Sequence, residues 1–233
     1  SGDITIGAID LGQFGILNKG TFENNAGAEI AIDRSDDTGL RNTSGTFTNA
    51  GKITLGANVS VGTNGLVNLV VFNNNAGGEI NLDRSFKVGL YNNGAFTNEA
   101  KIRIGQIASP GDYGLWQQSN SATFYNNPGG EINIDRAGDT GLRNQFGTFN
   151  NAAEIVIGAV ADVGFDGVYN SATLNNTPCS ALIHIVSDDI ISNSGTFTND
   201  GLIIENATGN SSITTNNGVV QNLNGGTFST GGT

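Results

Sequence analysis

Residues 39–56 read Gly39-Leu40-Arg41-Asn42-Thr43-Ser44-Gly45-Thr46-Phe47-Thr48-Asn49-Ala50-Gly51-Lys52-Ile53-Thr54-Leu55-Gly56. Three short segments in this stretch alternate apolar and polar residues: Leu40 to Asn42, Thr46 to Asn49 and Lys52 to Leu55. A period of two between Gly and Asn turn formers is strand chemistry, and nothing here has the 3.6-residue period of a helix.

The stretch is one copy of a repeat. The Phe phrase recurs as Thr21-Phe22-Glu23-Asn24, Val71-Phe72-Asn73-Asn74, Phe96-Thr97-Asn98 and Thr123-Phe124-Tyr125-Asn126. It continues as Thr148-Phe149-Asn150-Asn151, Thr173-Leu174-Asn175-Asn176, Thr196-Phe197-Thr198-Asn199 and a weak Val219-Val220-Gln221-Asn222. Gly-Leu-x-Asn precedes it at Gly65-Leu66-Val67-Asn68, Gly89-Leu90-Tyr91-Asn92 and Gly141-Leu142-Arg143-Asn144. An Ile phrase follows it at Glu29-Ile30, Glu79-Ile80, Lys101-Ile102 and Glu131-Ile132.

The step is about 25 residues, in the range where each repeat is one supersecondary unit. Three short strands can bury their apolar sides only by stacking on the next copy. The expected fold is all-β: a parallel β-solenoid, specifically a right-handed β-helix, with three short strands per coil and about nine coils. It spans residues 1–233 as a single domain, a segment of a longer array. Crossovers between parallel strands are right-handed by default, and strands about 4.8 Å apart give a rod of roughly 45 Å.

Two asparagine columns fall on inward positions at the corners. The first is Asn18, Asn42, Asn68, Asn92, Gln117, Asn144, Asn170, Asn193 and Asn216; the second is Asn24, Asn49, Asn74, Asn98, Asn126, Asn151, Asn176, Asn199 and Asn222. A buried amide needs partners for its donors and acceptor, so each column is expected to bond along its length as a ladder. Outward, the column Glu29, Lys52, Glu79, Lys101, Glu131 alternates in sign, which favours this stacking register; Glu154 breaks the alternation.

The chain has 21 acidic and 10 basic residues and a net charge of −11. That excludes nucleic acid, which needs clustered Lys and Arg, and no apolar run is long enough to insert in a membrane. An acidic, Gly-rich surface suits an extracellular or cell-surface location. The lone Cys179 rules out an internal disulfide framework and is read as a small packing residue. With no methionine, the chain is expected to be a processed product or a piece of a longer protein. Asp3-Ile4-Thr5-Ile6-Gly7 and Gly225-Gly226-Thr227-Phe228 read as further strands at the ends, without caps. The array is therefore expected to continue into more coils, dock a neighbouring domain or associate end to end.

Recurrent Asp33-Arg34, Asp83-Arg84 and Asp135-Arg136 could be read as calcium ligands, but two strand spacings separate successive pairs, so a turn in which Asp accepts backbone N–H bonds and Arg balances charge is the better reading. His184 finds no Ser-His-Asp arrangement, and one His with one Cys falls short of a zinc site. No catalytic residue, metal or cofactor is assigned. The Thr-x-Thr grid around the Phe column resembles ice-binding β-helices, but Glu23, Val71, Ala95 and Tyr125 interrupt it. One outward column stands apart: Leu17, Arg41, Val67, Tyr91, Trp116, Arg143, Tyr169, Ser192. Arg41, Tyr91, Trp116, Arg143 and Tyr169 are the candidate contact residues, because aromatic and Arg side chains anchor interfaces and aromatic faces suit sugar rings. The competing reading is that they only cover neighbouring strands, with Arg143 stacked on Trp116 or Tyr169.

Phrases such as Gly45-Thr46-Phe47-Thr48-Asn49-Ala50-Gly51-Lys52-Ile53-Thr54-Leu55-Gly56 and Phe72-Asn73-Asn74-Asn75-Ala76-Gly77-Gly78-Glu79-Ile80-Asn81 resemble the β-strand repeats of very large surface proteins of marine and gliding Bacteroidota. The resemblance implies export by that phylum's own route, a multi-domain parent, and roles in adhesion, surface filaments or prey capture; it carries over no catalytic residue. Asn175 to Asp189 depart from the repeat, where a kink or an added feature is expected. The expected function is a structural or adhesive rod and not an enzyme, the alternative being a carbohydrate-binding or carbohydrate-active β-helix. Expected partners are neighbouring coils or domains of the same parent, a second copy, or a surface glycan.

Overall fold

A computed structural model describes residues 2–7, 12–178, 180–186, 190–205, 213–215, 218–223 and 226–230. They form strands and turns with no helix, in three parallel sheets visited in turn. The Ile sheet has ten strands, from Ile4–Ile6 to Thr227–Thr230. The Leu sheet has nine, from Phe14–Asn18 to Ile213–Thr215, and the Phe sheet nine, from Phe22–Asn24 to Val219–Asn222. Every strand between the ends of its sheet pairs with its counterpart one coil earlier and one later, so the fold is the parallel β-solenoid the repeat implies.

Equivalent residues face each other across coils: Leu40 pairs with Leu66, Phe47 with Phe72, Ile53 with Ile80 and Leu55 with Leu82. All of them are completely buried. From Phe22 to Phe149 six phenylalanine rings lie face over face, with centroids 4.7–4.8 Å apart and planes within 8°. That separation is the strand spacing itself, so the sheet sets the ring pitch, and ring pairs add to what burial already provides.

Both corner ladders run as expected through the described residues. In the Phe sheet each amide Nδ2 donates to the Oδ1 one coil on, from Asn24 to Asn222, at 2.7–2.9 Å. In the Leu sheet the bonds run from Asn18 to Asn193 at 2.7–3.2 Å. The second N–H is also used: Asn42, Asn68 and Asn144 donate to the carbonyls of Val71, Ala95 and Thr173. Gln117 keeps its column continuous across a longer corner, accepting from Asn92 at 3.2 Å and donating to Asn144 at 3.1 Å. At the far end Thr215 stands opposite Asn193; Asn216 and Cys179 lie outside the described residues.

The glycine that opens Gly-Leu-x-Asn has a steric cause. A Cβ at Gly65 would lie 2.6 Å from the Gly89 carbonyl oxygen, and at Gly114 it would lie 2.5 Å from Ile134 Cγ2 and 2.7 Å from the Gly141 oxygen. Coils approach so closely along this column that only glycine fits.

Three details add to or differ from the sequence reading. Thr227-Phe228 does open a strand, Thr227–Thr230, although its Thr-Phe phrase is that of the Phe sheet. It lies in the Ile sheet, with Phe228 opposite Ile203, because Val219–Asn222 already holds the Phe-sheet place beside Thr196–Asn199. The charge column stands in the expected register, and Lys52 bonds Glu29 at 3.0 Å and Lys101 bonds Glu131 at 3.2 Å. Glu79, however, pairs with neither lysine beside it but with Arg103 at 2.7 Å, whose guanidinium reaches across from the adjacent column. Through the irregular stretch the Ile sheet continues, with Ile155 opposite Ile183 and Ile157 opposite Ile185; a register shift occurs instead in the Leu sheet, between Asp166 and Val168.

Two substitutions test this core by denaturant unfolding. Phe96→Ala should cost about 3–5 kcal/mol through the cavity left in the ring column. Asn98→Ala strands the Asn74 donor and the Asn126 acceptor, at about 1–3 kcal/mol for each unpaired group.

Candidate functional site

The outward column of the Leu sheet aligns as the repeat implies: Arg41 with Val67, Val67 with Tyr91, Tyr91 with Trp116, Trp116 with Arg143 and Arg143 with Tyr169. Arg41, Tyr91, Trp116, Arg143 and Tyr169 are half-buried, whereas Val67 is buried. The side chains pack on one another. Tyr91 meets Trp116 edge-on at 5.1 Å, and the Arg143 guanidinium lies 4.6 Å from the Tyr169 ring centre.

Arg143 does stack on Tyr169. Its second ring is Tyr113, at 4.8 Å, in place of Trp116. Tyr113 also touches Trp116 at 5.0 Å, and Phe14 takes Arg41 at 5.3 Å. Tyr113 and Phe14 open their strands, three positions before the strip residue. Strict alternation would put them on the opposite face. The close-packed glycine between them bends the strand and brings both onto the strip. The signal available in the sequence was that glycine, which marks a bend or bulge in a strand.

The result is a continuous aromatic and cationic band over four coils, Tyr91–Trp116–Tyr113–Arg143–Tyr169. Its polar tips are tied down: Trp116 Nε1 donates to Gln145 at 3.1 Å, and the Tyr91 hydroxyl donates to Gln118. The cations are partly matched, since Arg41 lies 3.6 Å from Asp37. Where the column falls to Val67, a cleft of about 380 Å³ opens between Arg41 and Tyr91, lined also by Asn64, Leu69 and Asn93. Asn93 donates to the Tyr91 hydroxyl at 3.1 Å, while its Oδ1 is buried without a partner.

An acidic edge flanks the band. Burial, reinforced by Asp139 and opposed by Arg143, raises the Asp166 carboxyl above its ordinary range. Burial likewise raises the Tyr113 hydroxyl against the pull of Arg143. Burial raises Asp135 as well. At Glu131 burial pushes upward, but hydrogen bonds from Lys101 and Asn133 outweigh it and hold the carboxyl low.

The Asp-Arg pairs are clamps on the corner between the Ile and Leu sheets. Short corners (33–37, 83–87, 135–139) alternate with long ones (56–63, 105–112, 158–165). Asp83 Oδ1 accepts the N–H groups of Ile107 and Ala108 in the next long corner, at 2.8 and 3.2 Å. Arg84 donates to the carbonyls of Gly56 and Ala57 in the previous one. Asp33 accepts both donors of Asn58, and Arg136 donates to Gly105 and Gln106. Asp33 and Asp83 thus accept backbone N–H bonds as read from the sequence. The Arg does more than balance charge, because it caps carbonyls one coil back. Among the described residues no group of three or more His, Cys, Asp or Glu is placed to hold a metal ion. Comparison with protein-family models, curated proteins and solved structures finds no match.

The raised Asp166 gives a pH test. Its folded form binds a proton more tightly than the unfolded chain, so its stability contribution is complete below the ordinary aspartate value of 3.8 and is lost as pH rises through the raised folded value. Asp166→Asn should therefore be more stable than the parent at neutral pH, and the two should converge at pH 3 in denaturant titrations. A gap that widens in acid would contradict the assignment.

Proposed function

We propose that this chain is a non-catalytic structural rod, a module of an extracellular filament or cell-surface adhesin, with the aromatic band as its contact face. The observation that carries this reading is the unbroken inter-coil bonding: three sheets and two amide columns link each coil to the next. Such stacking resists bending and axial load, and the resemblance of the repeats to surface-protein repeats agrees with it. Even the longer corners span only residues 56–63, 105–112 and 158–165, so no long excursion among the described residues builds the walls of a catalytic cleft.

Two measurements test the rod. Pulled from its ends, the chain should lengthen in steps of one coil, each about 25 residues and up to about 85 Å. On a panel of neutral and acidic polysaccharides it should release neither reducing ends nor unsaturated products. Extension without steps, or turnover of any polymer, would overturn the reading.

A second reading, carbohydrate binding at the band, is favoured by the Val67 cleft and the exposed faces beside it. In that case a glycan protects Trp116 from quenching, and Trp116→Ala abolishes binding with the melting temperature nearly unchanged. Full binding by Trp116→Ala, Tyr91→Ala would remove the band from consideration.

A further inference from the structure

The four most exposed large apolar side chains of the described residues are Phe165 (74%), Phe86 (69%), Val160 (56%) and Ile107 (54%). All four project from one corner of the solenoid, between the Ile and Leu sheets, and none belongs to the aromatic band. Isolated exposed apolar residues are ordinary, but several gathered along one corner and rimmed by charge mark an interaction surface.

These side chains stand on fixed backbone. Phe86 and Lys87 N–H bond to Gly62 and Thr63 at 2.8 and 2.9 Å, and Phe165 N–H bonds to Asp139 at 2.7 Å. The corner carrying Ile107 is gripped by Asp83 and Arg136. Little ordering is left to be lost on association, which lowers the cost of binding.

The charges at the two ends of the patch are opposite. Phe86 is followed by the exposed Lys87, which makes no ion pair among the described residues. Phe165 is framed by exposed Asp162 and half-buried Asp166. The two ends are three coils apart, about 14 Å.

We propose that this corner joins two copies of the chain side by side and antiparallel, about a two-fold axis midway between Phe86 and Phe165. A two-fold contact uses the same patch twice. Here it sets Lys87 and Phe86 of each copy against Asp162 and Phe165 of the other, so both ends are matched. Parallel rods at the same level would oppose like charges instead, and staggered ones would match one end only. Asp112 and Asp139 lie near the axis, and their repulsion keeps the association weak. The inference goes beyond the rod reading and makes no use of the aromatic band.

Sedimentation equilibrium of the 233-residue chain should show a monomer–dimer equilibrium. Phe86→Asp and Phe165→Asp should each raise the dissociation constant more than tenfold with melting unchanged, since both side chains are exposed. Lys87→Asp alone and Asp162→Lys alone should be monomeric, and an equimolar mixture of the two should dimerise, because only the mixed pair restores opposite charges at both ends. Trp116→Ala should dimerise like the parent, so loss of glycan binding and loss of the dimer are separable. A parent that stays monomeric at millimolar concentration, a dimer unaffected by Phe86→Asp with Phe165→Asp, or a mixture that stays monomeric would each overturn the proposal.

Discussion

A buried side-chain amide that lacks partners is costly, and this chain buries one at two corners of nearly every coil. Each has two donors and an acceptor to satisfy, inside a low-dielectric interior that makes an unpaired group expensive. An identical amide one strand spacing away satisfies it, which is why both columns donate in one direction from coil to coil. A one-residue slip would turn every inward Asn, Leu and Phe outward. The amides and the apolar columns therefore hold one register together, while the coil length between successive amides varies from 23 to 28 residues. Gln117 shows the constraint from its exception: where the corner lengthens, a longer side chain keeps the column continuous.

Strict register has a consequence for the surface. Once equivalent residues align, any outward position becomes a column along the rod, so single substitutions scattered over hundreds of residues assemble into a stripe. Tyr91, Trp116, Arg143 and Tyr169 are separated by about one repeat each in the chain, yet pack into one band in space, with Tyr113 bridging Trp116 and Arg143. The same geometry produces the acidic edge: Asp139 and Asp166 come from successive coils, and Asp139 adds to the burial that raises the Asp166 carboxyl. The solenoid thus gathers outward side chains into a band without loops, at the cost of like charges that the fold also brings together.

The sequence was legible where side chains repeat. Leu40, Phe47, Ile53 and the corner asparagines announced sheets, core and ladders, because period-two alternation and a fixed step leave few other arrangements. It was less legible where one atom or one bond angle decides. In Gly-Leu-Trp-Gln the glycine marks an irregular strand, but nothing there announces that Tyr113 comes to lie beside Trp116. The diagonal reach of Arg103 to Glu79, in place of the lysines alongside, depends on side-chain length as much as on register. Phe86 and Phe165 escaped notice because they sit in corners of unequal length, out of phase with the strand pattern, where the repeat does not say which way a residue points.

The alternation of short and long corners adds a second period of two coils to the one of about 25 residues. A long corner has backbone donors and acceptors that no neighbouring long corner can satisfy, since the adjacent coils turn early. At the middle short corner the Asp-Arg pair supplies what is missing, with Asp83 gripping N–H groups ahead and Arg84 gripping carbonyls behind, while Asp33 and Arg136 each make one side of the same grip. Arg84 has a positive φ of 47°, a conformation that costs a non-glycine residue free energy, whereas Arg136 makes the equivalent bonds to Gly105 and Gln106 without one. The clamp explains why Asp and Arg recur together in alternate coils, and why the long corners can carry exposed apolar side chains on ordered backbone.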